Sequence, residues 1–94
     1  NGHGICHGGV IFTLADSAFA FACNSRNQAT VAQHNTISYM APGQLGDTLV
    51  ARAREVSLSG RSGIYDVTVT NQNNTTIAEF RGMSRAIKGQ LFQE

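Results

Sequence analysis

Residues 1–24 read NGHGICHGGVIFTLADSAFAFACN, and this stretch decides the fold because it is the one long helix in a chain that otherwise reads as sheet. Gly8-Gly9 opens the helix, and Asn24, in an Asn-Ser-Arg-Asn run, closes it as a polar C-terminal stop. Val10, Ile11, Leu14, Ala15, Ala18 and Ala22 recur at helical spacing. Phe12, Phe19, Phe21 and Cys23 make the remaining faces apolar as well. A helix apolar nearly all round is expected to be buried rather than laid on a surface. At about 15 residues it falls short of the roughly 20 that span a bilayer. One acid, Asp16, stands in its middle. An ionisable group on a buried helix is costly unless it is paired or used.

Downstream of the helix the period changes to two. Ser25 to Gln28 is a polar turn, and Thr30 to Met40 is rich in β-branched residues and reads as a strand. Ala41-Pro42-Gly43 breaks it, and Gln44 to Asp47 is read as a loop. Thr48 to Leu58 sets Leu49, Ala51 and Ala53 against Val50, Arg52 and Arg54, the pattern of a strand with one wet face. A glycine turn, Ser59-Gly60-Arg61-Ser62-Gly63, leads to a strand over Ile64 to Thr70 with Tyr65, Val67 and Val69 on one face. Asn71-Gln72-Asn73-Asn74 is a hairpin turn built from residues that tolerate left-handed backbone. Thr75 to Lys88 then sets Ile77, Glu79, Arg81 and Met83 against Ala78, Phe80 and Gly82, leaving residues 89–94 as a tail. One buried helix followed by four strands is an α+β layout. The antiparallel sheet is expected to curl round the helix, and a symmetric dimer is the economical cover for the apolar surface left over.

Composition narrows the function. Residues 1–94 make one domain, near the small end of independent stability. The abrupt Asn-Gly-His start reads like part of a motif, so further residues are expected before it. Net charge is +1 with scattered basic residues, which leaves no electrostatic footprint for nucleic acid. No signal peptide, lipidation motif or transmembrane run is visible, so no membrane partner is expected. Cys6 and Cys23 lack disulfide-framework spacing, and a reduced, cytoplasmic setting fits them.

The chemistry gathers on the helix. Its first turn, at Cys6-His7-Gly8-Gly9, carries unsatisfied N–H groups and a partial positive charge, and glycine lets a ligand approach. That suits an oxyanion or a polarised carbonyl, although a plain tight loop capped by His7 reads equally well. Asp16 can serve as nucleophile or general base with Thr13 and Ser17 nearby, or as a structural acid bonded elsewhere. Gly8 and Asp16 lie about 12 Å apart along a helix axis and cannot both touch one carbonyl within a single chain. If both act, one must come from an antiparallel partner helix across a two-fold axis. His3, Cys6 and His7 form an incomplete metal set with only His34 to add, and no G-x-S-x-G elbow exists. Gly60-Arg61 can cradle a phosphate or simply turn a hairpin.

The run N-G-x-G-x-x-H-G-G-x-x-x-x-L-A-D, followed by I-S-Y-M-A-P-G-Q-L-G-D-T-L-V-A and G-R-S-G-I-Y-D-V, resembles the hotdog-fold acyl-CoA thioesterases, closest to the phenylacetate-degradation type. The resemblance runs from Asn1 to about Lys88. It implies an antiparallel sheet wrapped round one helix, preceded in the family by a further N-terminal segment. It implies hydrolysis of a thioester, with a phenylacetyl- or hydroxyphenylacetyl-CoA as the first expectation, to a carboxylic acid and free CoA. Asp16 matches the family's catalytic carboxylate, and the Gly8 N–H matches the group that polarises the carbonyl. His7 shapes that loop, and Asn1 matches the Asn/Gln position that binds water or thioester. Gly60, Arg61 and Ser62 match a region along the CoA. Ala15, Ala18, Ala20, Phe12 and Phe19 are expected to shape an acyl pocket. No metal or redox cofactor is implied, and the family assembles as a dimer with shared sites, usually paired again into a homotetramer. Some relatives carry a Ser or Thr on the strand after the helix, where this chain has Ala32, Gln33 and His34. The rival readings are a hotdog dehydratase or hydratase, a non-catalytic acyl-CoA-binding sensor module, and a bare structural oligomer.

Overall fold

The structure is a computed structural model, and it describes residues 5–6, 8–24 and 30–87. In chain order the elements are β1 (Ile5–Cys6), α1 (Gly8–Cys23), β2 (Thr30–Tyr39), β3 (Gly43–Gln44), β4 (Val50–Ser59), β5 (Ser62–Thr70) and β6 (Thr76–Ala86). Strands β2, β6, β5 and β4 form, in that order, an antiparallel sheet, and β1 pairs with β3 in a separate two-stranded ribbon. The helix lies on one face of the larger sheet and touches all four of its strands. This is the α+β hotdog arrangement, a sheet on one long helix.

The helix ends where its sequence stops it. Asn24 donates from its backbone N (3.2 Å) and its side-chain Nδ2 (2.9 Å) to the Ala20 carbonyl, satisfying an acceptor of the last turn. Its buried stripe is Ile11, Ala15, Phe19 and Cys23, a strict i, i+4 series. The expectation of burial on all sides is corrected here: Val10 is 57% and Phe21 81% exposed. A single sheet covers only the stripe that faces it, so apolar residues on the far side stay in water in the isolated chain. Cys23 belongs to the stripe as a small hydrophobe. Burial pushes its thiol up, against a backbone hydrogen bond and with help from the Asp16 charge.

Opposite the stripe, β5 contributes Tyr65, Val67 and Val69, and β6 contributes Ala78 and Phe80. The rings of Phe19 and Phe80 lie 5.6 Å apart and those of Phe19 and Tyr65 5.9 Å, in tilted contacts. Phe19 occupies the space over Gly82, where an added Cβ would stand 2.6 Å from its ring. The inner set on β6 is not purely alternating, because Ile77 and Ala78 are buried consecutively. The register explains it. Val69 pairs with Ala78 and Thr70 with Thr76, so Ile77 is an extra residue at a bulge and turns inward, away from the outer set that alternation assigns it. Similar shifts fall beside Gln33 on β2 and Val56 on β4.

Strand β4 departs most from its pattern. Only Ala51 is half-buried, and the other nine residues are exposed, so it has no dry face in the isolated chain. Among the described residues it is one of the two edge strands of the sheet, β2 being the other, and the helix touches it without burying it. The hairpins follow their turn chemistry. Gly60, first of two residues between the paired Ser59 and Ser62, takes φ +59°, and Asn74 takes φ +61°. Asn71 Oδ1 accepts from the backbone of Asn73 and of Thr75, closing the second turn. The segment read as a loop over 44–47 begins inside β3. Asp47 accepts from Gln44 N (2.8 Å) and from Gln72 Nε2 (3.0 Å), which hold its carboxyl below the usual range and tie the turn to the β5–β6 hairpin.

Candidate active site

The site is built at the start of α1, with Gly8 as its first residue. The ribbon of β1 and β3 pairs Cys6 with Gly43 and Ile5 with Gln44, and so lays the Pro42-Gly43 segment beside the helix entrance. Two sequence blocks far apart in the chain, H-G-G and P-G-Q-L-G-D, therefore meet. From the end of β2, Tyr39 donates through its hydroxyl to the Gly8 carbonyl (3.0 Å). A cleft of about 350 Å³ opens here, walled by Gly8, Ile11, Tyr39, Met40, Pro42 and Gly43. Sequence reasoning passed over Tyr39 and the Pro42-Gly43 wall, since nothing local in a strand end or a Pro-Gly break announces that it faces a helix terminus.

Asp16 stands two turns further along and is half-buried rather than buried. Its position around the helix is informative. On one flank Ala18 and Ala22 border a groove shared with Ala51 and Ala53 of β4. On the other flank Phe12 leans on Phe80 of β6, ring centroids 5.8 Å apart. Asp16 follows Phe12 by one turn and shares its flank, on the side of β6 and β2 and away from β4. Thr13 is committed elsewhere, donating from Oγ1 to the Gly9 carbonyl at 2.8 Å, and Ser17 is exposed. Gly8 and Asp16 belong to one continuous helix, so the separation of about 12 Å along its axis stands.

Gly60, Arg61 and Ser62 sit at the far end of the molecule. Gly60 and Arg61 border a small cavity, about 120 Å³, with Cys23 at the C-terminal end of α1. Within one chain they are not brought to Gly8. Arg85 Nη1 donates to Ser62 Oγ (3.2 Å), so a second guanidinium, 23 residues away in sequence, joins this hairpin. Asn1 and His7 lie outside the described residues, as do His3 and the polar turn over 25–28. Among the described residues no group of three or more His, Cys, Asp or Glu is placed to hold a metal, and no helix is long and apolar enough to cross a membrane. Ala32, Gln33 and His34 are exposed on the outer strand β2, next to its bulge. Two of the residues expected to line an acyl pocket do not. Ala15 (0% exposed) and Phe19 (1%) are sealed against the sheet. Phe12 and Ala18 are half-buried, and Ala20 is exposed.

Residues 3–78 match the thioesterase superfamily. The acyl-coenzyme A thioesterase PaaI of Escherichia coli is 48% identical over 94 residues, covering all of this chain and 67% of that protein. The solved structure of E. coli PaaI, from the phenylacetic acid degradation operon, superposes with a TM-score of 0.91 at 49% identity, over 96% of this chain and 65% of that one. A Streptococcus mutans protein solved with acetyl-CoA bound superposes with a TM-score of 0.88 at 34% identity, over 96% of this chain and 72% of that one. The chain thus spans about two thirds of the E. coli protein. A helix entrance of paired glycines, an acid two turns along, a sheet on one long helix and these matches give one result: the chain belongs to the thioesterase superfamily and has its hotdog fold.

Proposed function

We propose that this chain hydrolyses an acyl-CoA thioester to a carboxylic acid and free CoA, in sites shared between two copies. The observation that carries the reading is the helix itself. It offers backbone N–H groups at Gly8 and a half-buried carboxylate at Asp16, too far apart to act together in one chain. Two such helices running antiparallel bring Gly8 of one copy to Asp16 of the other. Asp16 lies on the flank toward β2, and no further strand covers the outer edge of β2 among the described residues, so the partner approaches across that edge. The same two-fold carries Gly60, Arg61 and Ser62 of one copy toward Gly8 of the other, which a single chain keeps at opposite ends. Dimers of this kind pair again into a tetramer.

In this site the carbonyl oxygen of the thioester lies against the Gly8 N–H, where the helix dipole favours the charge that develops on it. Asp16 attacks the carbonyl carbon directly or takes a proton from the attacking water. Collapse of the tetrahedral intermediate expels the CoA thiolate, which leaves as the thiol after protonation. On the route of direct attack, water then hydrolyses the mixed anhydride left on Asp16, releasing the carboxylic acid and freeing the carboxylate. By the family resemblance, Asn1 binds the water or thioester and His7 shapes the loop before the helix; both lie outside the described residues. The cleft beside Tyr39 takes the part of the substrate flanking the thioester. The cationic hairpin of Arg61, with Arg85 behind Ser62, suits the phosphates of CoA. An aryl-acetyl group is the acyl class to try first, since the E. coli relative comes from the phenylacetic acid degradation operon. A cytoplasmic location fits the free, buried thiol of Cys23.

Thiol release from a panel of acyl-CoAs tests the reaction, with wild type beside Asp16→Asn and Asp16→Ala. Turnover of aryl-acetyl-CoA by wild type and a loss of about a hundredfold or more in Asp16→Asn is the expected result. Binding of acyl-CoA without hydrolysis, or full rate in the Asp16 variants, refutes it and favours a binding module.

A further inference from the structure

Gly8-Gly9 poses a physical problem for a site that depends on a fixed N–H. Glycine permits close approach of a substrate, but it is the most mobile residue and among the weakest helix formers. A preorganised donor must not need to reorganise as charge develops. Two glycines in succession at a helix entrance therefore call for an external clamp.

We infer that Tyr39 is that clamp, a positioning residue for the oxyanion-binding first turn; the inference rests on the thioesterase reading above. Its hydroxyl donates to the Gly8 carbonyl at 3.0 Å, which fixes the Gly8–Gly9 peptide; with that plane held, the Gly8 Cα is anchored on the C-terminal side of the N–H that faces the substrate. Its ring lies against the glycine, with carbon and oxygen atoms 3.4 Å from where a Cβ on residue 8 would stand. The clamp is itself anchored. The backbone N–H groups of Met40 (2.8 Å) and Ala41 (3.3 Å) both donate to the Ile77 carbonyl at the β6 bulge, so the end of β2 cannot drift. The chain then passes directly into β3, whose pairing with β1 holds Cys6, two residues before Gly8. One segment, 39–44, thus grips the helix entrance from the ring side and from the strand side. The bulge at Ile77 acquires a purpose in this arrangement, since it presents the doubly used carbonyl that anchors Tyr39.

Deleting the Tyr39 hydroxyl leaves the Gly8 N–H itself and the Asp16 carboxylate in place, so the effect is smaller than loss of Asp16. Tyr39→Phe keeps the ring and deletes only the hydrogen bond. Steady-state hydrolysis by this variant should show kcat lowered about tenfold, with KM within about twofold of wild type. The pH profile of kcat should keep its shape, because Tyr39 moves no proton in the reaction. Tyr39→Leu, which loses ring and hydroxyl, should fall further in kcat. A Tyr39→Phe enzyme with kcat within about twofold of wild type overturns the inference. So does a loss of rate that merely follows the fraction of folded protein, measured by thermal unfolding of the same samples. A wild type that leaves every acyl-CoA intact overturns the thioesterase reading itself, and the two failures are distinguishable in one set of assays.

Discussion

Asp16 and Asp66 are two carboxylates whose surroundings give them opposite tasks. Asp66 points from β5 to the outer face of the sheet and accepts from Arg81 Nε (2.6 Å) and Nη2 (2.8 Å), with Arg54 at 3.4 Å. The Arg81 hydrogen bonds hold its carboxyl below the ordinary range; partial burial opposes them, and the charges of Arg81 and Arg54 add to them. A depressed folded-state pKa means stability that is present above the unfolded value, near 4, and is lost as pH falls through the folded value. Because both arginines are more than half exposed, water screens the pair strongly. Asp66→Asn should therefore cost only about 1 kcal/mol at pH 7 and nearly nothing once wild-type Asp66 is protonated. Urea unfolding at both pH values checks this, and an equal cost at each would contradict it. Asp16 has no arginine on it among the described contacts, and its substitution should move rate far more than stability.

At the level of elements, the helix and the four long strands were legible because periodicity and turn chemistry agree along them. Gly8-Gly9 and Asn24 bound the helix, and Tyr65, Val67 and Val69 do share the inner face of β5. What escaped has specific causes. A two-residue ribbon such as β1–β3 has no period to detect, so Gly43-Gln44 looks like loop. A bulge reverses alternation without a sequence mark, which hid the burial of Ile77. The far side of α1 is apolar in sequence yet exposed in one chain, at Val10 and Phe21, because periodicity marks which residues are apolar and not which neighbour covers them. Phe19 and Ala15 share i, i+4 spacing with Ile11 and Cys23, which puts them on the core stripe and not in a pocket. At the candidate site the helix start at Gly8 and the place of Asp16 on the helix were legible, whereas the contact of Tyr39 with Gly8 was not, because it depends on where a strand ends in space. The contact between Phe19 and Gly82 gives this level its own test. Gly82→Ala forces a Cβ to 2.6 Å from the ring and should destabilise the fold by about 1–3 kcal/mol in urea unfolding. A neutral result would mean that helix and sheet pack less closely than described.

For the whole molecule, the central claim is that no single chain holds a complete site. Gly8 and Asp16 sit two turns apart on one helix, and Gly60, Arg61 and Ser62 lie beyond its other end. A two-fold pairing across β2 resolves both separations at once, and it predicts complementation between two dead enzymes. Asp16→Asn removes the carboxylate. Gly8→Pro removes the N–H, at the first helical position, where proline is tolerated. Each variant alone should be inactive toward an aryl-acetyl-CoA that wild type hydrolyses. Co-refolded in equal amounts, about half the dimers are mixed, and each mixed dimer regains one intact site of two. The measurement is the thiol-release rate of that mixture. A recovery to about a quarter of the wild-type rate is the predicted result; a mixture as inactive as its two components would contradict the shared site.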